Sequence, residues 1–172
     1  FIERSEIETV YIAGYWTSHF EPHGFLGDDV DMSRSAENSA RVARDAFERT
    51  ISAVREAGKH LVIVRNVPVL DSGGPSCELK NRIHPAWTRR ECRLPIDKFH
   101  AKTAAVDALF SELLVRHPDL EILEVSDLLC ADGFCEIMLD DISLYKWGDR
   151  NHLNMAGSRA LGRAYLERHG RL

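Results

Sequence analysis

The sequence predicts an α/β fold, a sandwich of helices around a mainly parallel sheet. Three observations carry that prediction. Short β-branched apolar runs alternate with long amphipathic stretches, in the order strand, helix, strand, helix, strand, helix. The stretches between the runs are long enough for right-handed crossovers. Composition agrees, with 44% hydrophobic and 28% charged residues in 172. A chain of that size can hide roughly 70% of its unfolded surface in one core. No internal repeat or second domain is visible, so residues 1–172 read as a single domain.

The elements follow in order. Thr9-Val10-Tyr11-Ile12-Ala13-Gly14 reads as a buried strand, and His19 to Asp31, rich in Gly, Pro and Asp, as a loop. From Ala36 to Ala57, the residues Ala36, Ala40, Ala43, Phe47, Ile51 and Val54 recur at helical spacing until Gly58 stops the helix. Leu61-Val62-Ile63-Val64 is a second strand, ended by Asn66 and Pro68. The next thirty or so residues hold four of the six prolines and read as a long excursion. A second amphipathic helix runs from Ile96 to Arg116 on the stripe Phe99, Thr103, Val106, Phe110 and Leu113, and Pro118 closes it. Leu120 to Val125 gives a third strand. A small hairpin-like segment then leads through Leu144-Tyr145 to Asn154, the expected N-cap of a last helix from Met155 to His169.

The charge balance narrows the function classes. A net charge of -5 argues against a nucleic-acid binder, which would carry a basic face. No stretch approaches the ~18 uncharged apolar residues of a membrane span. The chain opens on Phe1 without a signal peptide and reads as a fragment or processed product. Cys77 and Cys92 bracket a polar loop, and Cys130 and Cys135 bracket the turn-like Ala131-Asp132-Gly133-Phe134. An even number of loop cysteines suggests two local disulfides and an oxidising compartment; four reduced thiols in a cytosolic protein is the plain alternative. The spacings do not match paired zinc knuckles.

The segment from Tyr145 to Asn154 is the most informative. Asp149 and His152, three apart in a turn, can meet as carboxylate and imidazole. The carboxylate would hold Nδ1–H and leave Nε2 free to take a hydroxyl proton. On spacing alone, a solvated turn before a capped helix is the simpler reading.

Asp-x-x-His-Leu-Asn-x-x-Gly, here Asp149 to Gly157, resembles the last block of the SGNH (GDSL-type) hydrolases. The likeness is nearest to the SGNH domain of membrane acyltransferases that O-acylate bacterial surface polysaccharides. Val10 to Trp16 resembles that group's strand ending in Trp. Val62 to Val69 resembles its strand before a proline-rich loop, and Leu129 to Cys135 its Cys-bracketed turn. The resemblance implies a three-layer α/β/α sandwich and a Ser-His-Asp triad with Asp149 and His152 as acid and base. It also implies an acyl donor, a carbohydrate acceptor, a covalently linked membrane acyltransferase domain and an extracytoplasmic, membrane-tethered location. No cofactor and no metal are expected. The Gly-Asp-Ser block is nowhere in this sequence: Ser18, Ser72, Ser76 and Ser143 all lack its setting. The nucleophile is therefore expected upstream, on a strand this chain lacks. A sheet missing that inner strand would leave unpaired backbone groups.

Other residues carry weaker signals. His19, His23, Asp28, Asp29 and Asp31 could ligate a metal, with a solvated loop as the simpler reading. Trp16, Trp87 and Trp147 could stack on sugars, and Trp16 and Trp147 fall nearest the proposed site. Arg89-Arg90 reads as a solvated face, and His60, His84, His100, His117 and His169 show no partner pattern.

Overall fold

The computed structural model describes residues 4–71, 74–83 and 91–170. Ser72, His84, Trp87, Arg89 and Arg90 lie outside the described residues. In chain order the elements begin with strand β1 (Thr9–Ala13), helix α1 (Ala36–Glu56), strand β2 (His60–Val64), helix α2 (Gly74–Ile83) and strand β3 (Leu94–Pro95). Helix α3 (Ile96–Arg116), strand β4 (Glu121–Leu123) and the single turn α4 (Ser126–Leu129) follow. Four short strands, β5 (Cys130–Ala131), β6 (Phe134–Cys135), β7 (Met138–Leu139) and β8 (Ile142–Ser143), precede helix α5 (Met155–His169). The chain divides into two compact units. One comprises the residues up to Asn66 with Lys102–Leu123; the other comprises Val67–Ala101 with the residues from Glu124 onward.

The first unit holds the parallel sheet that the sequence predicts, with strands in the order β1-β2-β4. In-register neighbours such as Ile12, Ile63 and Ile122 share a face, because side chains alternate along a strand. That face packs against Phe47, Ile51 and Val54 of α1 and Val106, Phe110 and Leu113 of α3, the residues whose spacing marked both helices. Both helices of this unit thus cover one face. The three strands pair consecutively, so the expected missing strand leaves no break inside the sheet. Among the described residues no strand pairs with the far side of β1, and Tyr11 on that strand is 47% exposed.

Local chemistry explains the ends of α1. The Ser35 hydroxyl accepts the Asn38 N–H, as an N-cap should. At the other end Gly58 takes φ 68°, Lys59 N–H returns to Val54 C=O and Gly58 N–H to Arg55 C=O, the pattern of a Schellman close. The Asp-rich loop is fastened to the same helix. Asn38 Nδ2 donates to the carbonyls of Leu26, Asp31 and Ser33, and Arg41 grips both oxygens of Asp28 at 2.8 and 2.9 Å. Asp28 and Asp31 are therefore engaged by Arg41 and backbone amides, and among the described residues no group of three potential ligands could hold a metal. Three histidines without a visible pattern have partners, two of them distant in sequence and one within its own helix. His60 meets Glu121 at 3.0 Å, His117 meets Glu48 at 2.7 Å, and His169 stacks on Tyr165.

The Arg41 guanidinium, followed by backbone N–H donors, holds the Asp28 carboxyl well below its ordinary value of 3.8. A depressed folded value favours the native state wherever the unfolded carboxyl is already ionised. This contribution is complete above pH ~5 and shrinks as pH falls through about 4 toward the folded value. Asp28→Asn is therefore expected to lower Tm at pH 7, with the gap to wild type narrowing below pH ~4. Melting curves across pH 2–7 check this; a gap that does not change with pH would refute it.

The second unit contains more structure than the sequence showed. A helix, α2, occupies part of the expected excursion; Pro75 falls in its first turn, where a missing N–H costs nothing. Cys77 in α2 is bonded to Cys92, and Cys130 to Cys135, the two local disulfides expected. Cys130 and Cys135 face each other across the β5–β6 pair, joined by Asp132-Gly133. Both linking residues have positive φ, as do Asp140-Asp141 between β7 and β8. Two-residue links of that kind match the right-handed strand twist of a tight hairpin. Leu94, Phe99, Leu144, Tyr145 and Leu161 are among the buried residues of this unit.

Candidate active site

Asp149 and His152 lie in the loop between β8 and α5, wholly within the second unit. The loop rises from a buried base, Leu144 and Tyr145. Tyr145 bridges antiparallel to Leu153, and Lys146 N–H donates to the His152 carbonyl at 2.9 Å, which closes the loop at its neck. At the tip Asp149 N–H returns to the Lys146 carbonyl at 3.1 Å. Gly148, third residue of that turn, has φ 72°, the conformation a type II turn needs there. Tyr145 also anchors the proline-containing segment after β2. Its hydroxyl donates to the Pro68 carbonyl at 2.8 Å, and Leu70 N–H donates to the Arg150 carbonyl at 2.9 Å. Burial pushes the Tyr145 phenol well above its usual range, so it stays a donor.

The dyad has the geometry that the spacing suggested. Asp149 Oδ1 accepts the backbone N–H groups of Asn151 and His152, each at 3.0 Å, and Oδ2 meets His152 Nδ1 at 2.9 Å. The Asn151 and His152 amides, then the imidazole, hold the Asp149 carboxyl far below the ordinary range. An ionised carboxylate only accepts, so Nδ1 must carry a proton. In the neutral ring, Nε2 is then the unprotonated nitrogen, a base aimed away from its carboxylate. The imidazole is 65% exposed, so a hydroxyl can reach it.

The other expected site residues fall differently. Trp147 sits on the same loop, between Lys146 and Gly148, and is 67% exposed. Trp16 belongs to the first unit, where its Nε1–H donates to the Val64 carbonyl at 2.8 Å and its ring packs on Phe47 and Phe110. Its indole N–H and much of its ring are engaged in that core. A cleft of about 160 Å³ in the second unit is lined by Leu79, Arg82, Ile137 and Ser143 among others, but by neither Asp149 nor His152. Sequence reasoning missed the bracing by Tyr145, because a phenol bonded to a carbonyl 77 residues away leaves no local pattern.

A parallel α/β core and a carboxylate–imidazole pair on a loop define a class of domain able to perform acid–base chemistry. Residues 1–167 match the sequence model of a family described as "SGNH domain (fused to AT3 domains)", and the chain belongs to that family. No curated protein matches the chain by sequence. Among solved structures it is similar to the periplasmic domain of a lipopolysaccharide acetyltransferase from Salmonella ser. Paratyphi A, with a TM-score of 0.57 at 15% identity. That likeness covers 98% of this chain and 58% of the other, so the chain spans less than two thirds of the structure it resembles. At that identity the likeness concerns the fold.

Proposed function

We propose that this chain carries the acid–base half of a Ser-His-Asp acyl-transfer site. The observation that supports it most is the 2.9 Å contact of Asp149 Oδ2 with His152 Nδ1, on an imidazole that is 65% exposed. The nucleophilic serine would come from a segment upstream of Phe1. That serine attacks the carbonyl of an acyl donor, most simply an acetyl donor, as His152 Nε2 takes its proton. The imidazolium, stabilised by Asp149, returns the proton to the leaving group as the acyl–serine forms. A sugar hydroxyl then attacks the acyl–serine, its proton passing to Nε2 and back to the serine oxygen as the ester is released. Water in place of the sugar would make the same site an esterase.

Family membership supports a covalently linked acyltransferase domain as the source of the acyl group. The two disulfides favour an oxidising, extracytoplasmic location, and the membrane tether would lie in that linked domain. The exposed Trp147 beside the dyad supports a carbohydrate acceptor, since an indole face can stack on a sugar ring. The same exposure favours one alternative, a carbohydrate-binding module without catalysis. Incubating the complete protein with an isotopically labelled acetyl donor and soluble polysaccharide fragments tests the proposal. Labelled acetyl esters on the sugar support acyl transfer; binding of the fragments without label supports the module.

A further inference from the structure

We propose that Asn154 is a positioning residue for His152, an inference that rests on the acid–base reading above. One carboxamide ties the two ends of the loop together. Its Nδ2 donates to the Ser143 carbonyl at 2.7 Å and the Tyr145 carbonyl at 2.9 Å, so both amide protons are used on the entering strand. Its Oδ1 accepts the Gly157 N–H at 2.7 Å in the first turn of α5, and its backbone N–H donates to the Leu144 carbonyl at 2.8 Å. The pattern admits only one amide orientation. Flipping it would set an acceptor against two carbonyls and a donor against an N–H.

These four bonds fix residues 143–145 against residues 154–157, and the dyad lies on the chain between them. His152 is two residues from the clamp, and its own carbonyl is held by Lys146 N–H. The imidazole can swing only by as much as this frame allows, and Asp149 must follow to keep its bond to Nδ1. A cap alone would need only Oδ1. The two Nδ2 bonds add what a cap does not require, a defined distance between the strand end and the helix start. Asn is the residue that supplies the acceptor and both donors at this reach.

Asn154→Asp separates the two roles. Aspartate keeps the cap acceptor and suits a helix N-terminus electrostatically, so a capping role would leave activity and stability intact or improved. It also turns an acceptor toward the Ser143 and Tyr145 carbonyls, so a positioning role fails. The complete protein carrying Asn154→Asp is expected to lose about a hundredfold in kcat at little-changed KM, the scale of a misplaced reacting group. Asn154→Ser, which keeps a cap and lets water reach the carbonyls, is expected to lose less. Selective ¹⁵N-histidine labelling gives a readout independent of turnover. Wild-type His152, when neutral, should carry its proton on Nδ1, and Asn154→Asp should give a mixture of tautomers in an otherwise folded spectrum. An unchanged His152 signal in Asn154→Asp overturns the positioning role. A changed signal with unchanged kcat sustains the clamp and refutes instead the acid–base reading on which its catalytic meaning rests.

Discussion

Replacing His152 with Ala in the complete protein is expected to reduce kcat for acyl transfer by about a thousandfold or more, with KM for the donor little changed. The reason is specific to this loop. Nε2 is the ring nitrogen left as the base because Nδ1–H donates to the Asp149 carboxylate, and without the ring a serine hydroxyl has no acceptor for its own proton. Asp149→Asn should cost a similar or larger factor, up to about ten-thousandfold, because an amide can donate to Nδ1 and trap the wrong tautomer. The asparagine can still receive the Asn151 and His152 N–H bonds through its oxygen, so the loop should keep its shape. Steady-state kinetics of both variants beside their melting curves decide the matter. Full activity at saturating donor in His152→Ala would end the triad assignment.

Gly157→Ala is expected to be the most destabilising single-methyl change in the second unit, at about 3 kcal/mol or a fall in Tm on the order of 10 °C. A methyl group there would meet the Leu144 carbonyl oxygen and lie 2.6 Å from the Leu144 Cα. Both are backbone atoms of a fully buried residue, so no side-chain rotation relieves the overlap. The helix start would have to move off the strand end, and the Asn154 bond to Gly157 N–H would move with it. The glycine here serves close approach rather than an unusual φ. At Gly162 in the same helix nothing lies within 4 Å of an added methyl, so Gly162→Ala should be neutral or mildly stabilising by thermal melting. Equal effects at the two positions would contradict this account of the motif's last glycine.

Much of the first unit was readable from periodicity. Phe47, Ile51 and Val54, and Val106, Phe110 and Leu113, mark their helices because one apolar stripe must face the sheet, and they do so in the core. The caps at Ser35, Gly58 and Asn154 are local devices whose chemistry is written in one or two residues; the sequence reading identified the latter two. What escaped was held by contacts distant in sequence. Helix α2 holds Pro75 and Cys77 within its ten residues, with too little apolar periodicity to stand out. The strands from β5 to β8 are two residues each and have no room for an alternating pattern. In the site, Asp149 and His152 were readable because a three-residue spacing suffices for their bond. The Tyr145–Pro68 bond and the Nδ2 bonds of Asn154 were not, since backbone carbonyls carry no residue identity. Trp16, whose place at a strand end suggested a sugar platform, is also tied to its own unit through Val64, Phe47 and Phe110, contacts that its local sequence does not reveal.

As proposed above, His152 serves a serine lying outside these 172 residues. Labelling the complete gene product with a fluorophosphonate, followed by peptide mass mapping, tests it most directly. The expected result is one adduct, on a serine upstream of Phe1, formed by wild type and suppressed in His152→Ala. An adduct on a serine within this chain, or no adduct in a protein that transfers acyl groups, would contradict it.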